Sequence, residues 1–168
     1  MTQKFIRTLA LSAAVALVPL PSFPQAPLAP PPQVPYGLSV TTDAAKKAAA
    51  AAIAEAHKNN WLMAVAVVDT GGYLVYFEKM QDAQTGSVEL AIEKAKTAAL
   101  FRRPTKTFQD NVAASGEGLR LLRLTGAIPI DGGVPMIVGG KLIGAVGASG
   151  GSSDQDGRGA QAGASALK

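Results

Sequence analysis

The sequence contains no cysteine in 168 residues, which removes disulfides, thiolate metal sites and a cysteine nucleophile from consideration in any compartment. Histidine is almost as scarce. His57 stands alone, so zinc helices of the HExxH type and multi-histidine metal centres are excluded, and one imidazole remains for a haem iron. A Ser-His-Asp hydrolase would have to converge on that same residue, and no Gly-x-Ser-x-Gly elbow leads into a helical pattern. Aromatic residues make up 5% of the chain and no Lys/Arg run is interleaved with them, which argues against nucleic acid as a partner. No unit of solenoid length recurs along the chain.

Basic charge is also thinner than the formal +4 suggests. Lys4 and Arg7 precede Leu9 to Val18 (LALSAAVALV), an apolar run too short to cross a bilayer as a helix, and together they read as a secretory signal peptide. Without those two residues, 14 basic side chains face 12 acidic ones. Eight of the eleven prolines fall between Pro19 and Pro35, where locked φ angles and missing N–H donors disfavour helix and sheet and leave an extended tether. The expected organisation is a signal peptide at 1–26, a proline-rich tether at 27–38 and a folded domain at 39–168, placed in the periplasm or secreted. An uncleaved membrane anchor is the other reading of the leader. A domain of about 130 residues buries enough surface for a core without a metal or disulfide staple.

Within the domain, the alanine-dense run from Ala44 to His57, preceded by several possible caps at Ser39, Thr41, Thr42 and Asp43, predicts a helix. Trp61 to Val68 is a short valine-rich run of strand length. Asp69-Thr70-Gly71-Gly72 supplies a turn, and Tyr73 to Phe77 returns as a partner strand. The spacing of Leu90, Ala91, Ala95, Ala98 and Ala99, with Glu89, Glu93, Lys94 and Lys96 assigned to the polar side, predicts a helix over Ser87 to Phe101 that Pro104 stops. Thr105 opens a short helix reaching Ala114, Leu119 to Leu124 makes a further helical turn, and two or three strands follow, including a hairpin through Gly139-Gly140. Ser152 or Ser153 caps a last helix weakened by Gly157, Gly159 and Gly163. The expected fold class is α+β, a mainly antiparallel sheet of about five strands with helices packed on it.

Three stretches occur together: VVDTGGYLVYFEKM at Val67 to Met80, KAKTAALFRRPT at Lys94 to Thr105, and GAIPIDGGVPMIVGGKLIGAVGASGG at Gly126 to Gly151, followed by Asp154-Gln155-Asp156. This set resembles the GlcG/HbpS family, also met as the C-terminal domain of PduO-type proteins, and covers the chain from about Val40 onward. The resemblance implies a profilin-like α+β fold, symmetric homo-oligomers, haem or corrinoid-related ligands in some members, and in HbpS-like members redox sensing with a membrane partner.

The residues themselves offer several sites. Arg102 and Arg103 follow Phe101 at a helix end; they either cap the helix dipole in solvent or clamp a carboxylate such as a haem propionate, with Thr105 and nearby amides assisting and Phe101 facing the ring. Asp131-Gly132-Gly133 lacks phosphate-loop spacing and reads as a turn, or as bare backbone beside a flat ligand or another subunit. His57 reads as a solvated helix end or an axial haem ligand; Met63, Met80, Met136, Tyr73 and Tyr76 are further groups that could approach an iron. The function expected first is an exported protein that binds haem or a related tetrapyrrole. The alternatives are an enzyme acting on a small organic acid through a carboxylate near Asp131 or Glu78, and an oligomeric sensing or interaction module without catalysis.

Overall fold

The computed structural model describes residues 33–167; the expected leader and the tether up to residue 32 lie outside the described residues. Helix α1 (Thr42–Lys58) begins where Thr41 in extended conformation accepts the Ala44 N–H on its hydroxyl at 3.3 Å, so one of the orphan donors of the first turn is satisfied. Its buried stripe is Ala45, Ala48, Ala49, Ala52, Ile53 and Ala56, small side chains that let the helix lie close on whatever it covers. Strands β1 (Ala64–Val68) and β2 (Leu74–Lys79) form the first hairpin, with both the Gly71 and Tyr73 N–H groups held on Asp69 Oδ1. Helices α2 (Ser87–Phe101) and α3 (Thr105–Ala113) and a 3-10 helix (Gly116–Arg123) come next, followed by β3 (Gly133–Val138) and β4 (Lys141–Ser149). Helix α4 (Ser153–Ser165) closes the chain behind a reciprocal cap between Ser152 and Gln155.

The four strands form one antiparallel sheet in the order β2-β1-β4-β3. Alternation along β1 sorts its side chains. Val65 and Val67 join α1 in one core cluster, whereas Ala64, Ala66 and Val68 join Ala91, Ala95, Ala98 and Ala99 of α2 in the other. All five β1 residues are buried, as a strand covered on both faces must be. Helices α1 and α4 thus lie on one face and α2 on the other, giving three layers.

Four strands are present among the described residues where about five were expected. The stretch 126–132 stays a loop because its donors go to side chains. Thr97 Oγ1 takes the Ile128 N–H at 3.0 Å, Gln109 Oε1 takes the Asp131 N–H at 2.9 Å, and Pro129 has none to offer. An isolated parallel bridge joins Tyr36 to Leu142, beside the start of β4 where β1 no longer reaches. Strand β1 starts at Ala64 rather than Trp61, and the leucine-arginine segment is a 3-10 helix that begins at Gly116.

Candidate functional site

The most buried polar cluster lies between α2, the Gly132-Gly133 loop and the start of α4. Lys94, assigned by its type to the outside of α2, falls on the stripe of Ala91, Ala95 and Ala98 and is fully buried. Its ammonium reaches Asp156 Oδ2 at 2.7 Å and the Ala148 carbonyl at 3.3 Å. The other Asp156 oxygen accepts the Gly151 N–H at 2.9 Å. Burial pushes the Asp156 carboxyl up, and the Lys94 ammonium with the Gly151 and Gly150 amides pulls it back.

Glycines make this packing possible. A Cβ on Gly132, whose φ is +127°, would sit 2.8 Å from Lys94 Nζ and 2.6 Å from the Ala148 carbonyl; one on Gly133 would run into the Lys94 backbone. Thr105, buried, accepts the Gly133 N–H at 2.8 Å and donates to the Gly133 carbonyl at 3.4 Å. Its hydroxyl is therefore engaged by the loop. Asp131, only 6% exposed, accepts the Gly132 N–H on Oδ1 at 2.7 Å and lays Oδ2 against Gly157 of α4. Burial raises its pKa first, and Asp154 adds to that; the Gly132 amide, Lys106 and Lys94 oppose it. With Pro104, Lys106, Thr107, Asp110, Val134, Gly157 and Gln161, Asp131 lines a groove of about 360 Å³.

The structure thus brings Thr105, Asp131, Gly132 and Gly133 together but sends the arginines elsewhere. Arg102, the left-handed residue that ends α2, lays its guanidinium 4.9 Å from the centre of the Tyr36 ring and donates to the Val34 carbonyl. Arg103 is exposed, lies 5.8 Å from the centre of the Phe108 ring and donates to the Phe101 carbonyl. Phe101 meets Phe108 edge to face at 5.4 Å. The two guanidinium groups face different aromatic rings.

His57 is exposed at the end of α1, near the end of the sheet where β4 finishes, whereas Arg102 lies by Tyr36 at the end where β4 begins. With Asn60, Trp61, Leu62, Glu78, Lys79, Met80 and Gln81 it lines an open cavity of about 540 Å³. Arg158 stacks on Trp61 at 4.8 Å and pairs with Glu55 at 3.3 Å, which fixes one wall. Glu78 accepts from the Tyr76 hydroxyl at 3.2 Å, and its charge pushes that phenol's pKa up. Of the methionines considered as iron ligands, Met63 and Met136 are fully buried in the core, and the Met80 sulfur accepts the Met63 N–H. The exposed His57 lines the cavity and offers its imidazole there. Glu78 and Met80 of this cavity were candidates from sequence, whereas Trp61 and Lys79 were not; the signal for them was the closeness of the lone histidine to the lone tryptophan.

A family model described as "Haem degrading protein HbpS-like" matches residues 40–165. The chain belongs to that family. Protein GlcG of Escherichia coli (strain K12) is 41% identical over 95 residues, 56% of this chain and 69% of GlcG. The crystal structure of HbpS superposes with a TM-score of 0.72 at 32% identity, covering 79% of this chain and 92% of HbpS. A PduOC:heme complex superposes with a TM-score of 0.69 at 29% identity, covering 78% and 96%. The HbpS-like α+β architecture and the resemblance drawn from the three sequence stretches agree with these matches.

Proposed function

We propose that this HbpS-like chain is an exported haem-binding protein of the periplasm and that the cavity at the end of α1 holds the tetrapyrrole. The observation that carries the reading is that the chain's single histidine, exposed, lines a cavity of about 540 Å³, a volume in the range of cofactor sites. The donor set suits the group: His57 for iron, Leu62 and Trp61 for the ring, Lys79 for a propionate. Haem bound there would supply an iron centre for redox or oxygen chemistry; the protein's part is to orient it and limit water. The PduOC structure, a haem complex by its description, supports the reading. Titrating the full chain with hemin tests it. A Soret band with saturable quenching of Trp61 is expected, and His57→Ala should shift or abolish that band. No Soret change and no quenching at micromolar hemin would end the haem reading, whereas a band unaltered in His57→Ala would end only the axial role.

One observation favours a second property, assembly of copies. Leu119, Leu122 and Leu124 are exposed in and just after the 3-10 helix, a segment with no buried residue. We propose that this arm meets another copy. Light scattering on the full chain should give a mass above one protomer, and Leu119→Ser with Leu122→Ser should lower it.

A further inference from the structure

We propose that the groove beneath α3 is a second ligand site, for a small organic ammonium ion with a short apolar tail. Asp131 is more than nine-tenths buried, yet only its Oδ1 is taken, by the Gly132 amide. Oδ2 accepts no hydrogen bond among the described residues, and it is not among the fully enclosed atoms left without a partner. It therefore opens toward the groove, against Gly157, where any side chain at that position would cover it. A buried carboxylate oxygen kept open in a concave wall is suited to a charge-assisted donor.

The surrounding charge selects the sign. Lys106 is the cation lining the groove, and it is already paired with Asp110 at 2.8 Å. Asp131 and Asp154 both lie near enough to act on Lys106 as well. Lys94 faces Asp131 from α2 but is committed to Asp156. A carboxylate ligand would meet net negative charge there, and an ammonium would complete it. Past Pro104, Val134 and Gln161 the groove continues into a hollow of about 260 Å³ lined also by Pro135, Ile137 and Ala164. That hollow takes the apolar tail. The site lies off the other edge of the sheet from the His57 cavity, so its fate does not depend on the haem reading.

Titration of the isotope-labelled full chain with butylammonium, butyrate and butanol, followed by amide shifts, tests this. Butylammonium should saturate shifts at Val134, Gly157 and Gln161 with a dissociation constant of about 1–10 mM. Affinity should rise up to about fourfold for each methylene added from ethyl to butyl. Asp131→Asn keeps the Oδ1 acceptor for Gly132 and should weaken binding by about tenfold or more. Lys106→Ala should leave binding equal or tighter. Because Asp131 titrates above the ordinary range, binding should fade on acidification earlier than for an exposed aspartate. Gln161→Trp, an exposed position shared by both hollows, should block binding without touching the core, and serves if Asp131→Asn does not fold. Butyrate binding as well as butylammonium, weaker binding in Lys106→Ala, or no saturable shift with butylammonium would overturn the proposal.

Discussion

Helix α2 and the arm formed by α3 and the 3-10 helix are neighbours in sequence and opposites in energetics. Helix α2 buries Ser87, Ala91, Lys94, Ala95, Thr97, Ala98 and Ala99, while α3 buries Thr105 and Phe108 and the 3-10 helix buries nothing. Both carry charge and both carry apolar residues. What separates them is side-chain size. Alanines bring α2 close enough to the sheet that a Cβ on Gly147 would strike the Ala91 carbonyl, whereas Leu119, Leu122 and Leu124 of the arm stay partly exposed among the described residues. Interior packing decides stability in the first region, and surface chemistry is free to serve binding or assembly in the second.

The sharpest way to break that contrast is to unpair the charge under α2. Lys94→Ala leaves Asp156 buried without its cation and should cost about 3–5 kcal/mol, read from urea denaturation of the full chain. Lys94→Met together with Asp156→Leu should recover most of that loss, because an apolar pair of similar volume needs no desolvation of ions. Next in size, Gly133→Ala pushes a methyl into the Lys94 backbone and Thr105 and should cost about 1–3 kcal/mol, seen as a lower midpoint at unchanged slope. At the seam between the two regions, Asp131→Asn should act in the opposite direction. The folded pKa of Asp131 is raised by burial, so the wild type holds this group's contribution fully below the ordinary aspartate pKa and loses it as pH rises through the raised value. The asparagine variant should therefore be the more stable of the two at neutral pH, with the advantage vanishing on acidification through that window. A stability that rises while ligand binding falls marks a residue kept for function. Smallest of all, Leu122→Ser on the arm should change the stability of a single copy by less than about 0.5 kcal/mol; a larger loss that depends on protein concentration would show that copies cover this surface.

Much of the fold was legible because it is written in local patterns. The bounds of α2, Ser87 to Phe101, follow from alanine spacing and from Pro104 beyond its end, and the hairpin turns follow from Asp69 to Gly72 and from Gly139-Gly140. Lys94 was misplaced for a physical reason. Lysine on a helix is normally assigned to water, and only the i, i+3, i+4, i+7 stripe of Ala91, Lys94, Ala95 and Ala98 marks it as interior. The strand count of about five was one too many; between residues 126 and 132, side chains of Thr97 and Gln109, distant in sequence, accept backbone N–H groups and the segment is a loop. The arginines were read as a pair because they are adjacent, yet the left-handed conformation of Arg102 turns them to different rings.

Alone, the order of residues determined the helix and strand succession, the absence of cysteine chemistry and the limit of one imidazole, since each of these is a local or compositional property. Tertiary structure decided which distant groups meet: Lys94 with Asp156 across 62 positions, Asp131 with Gly157, and His57 with the wall of β2. Those meetings depend on how closely three layers of small side chains approach, and closeness of approach is a property of the packed whole.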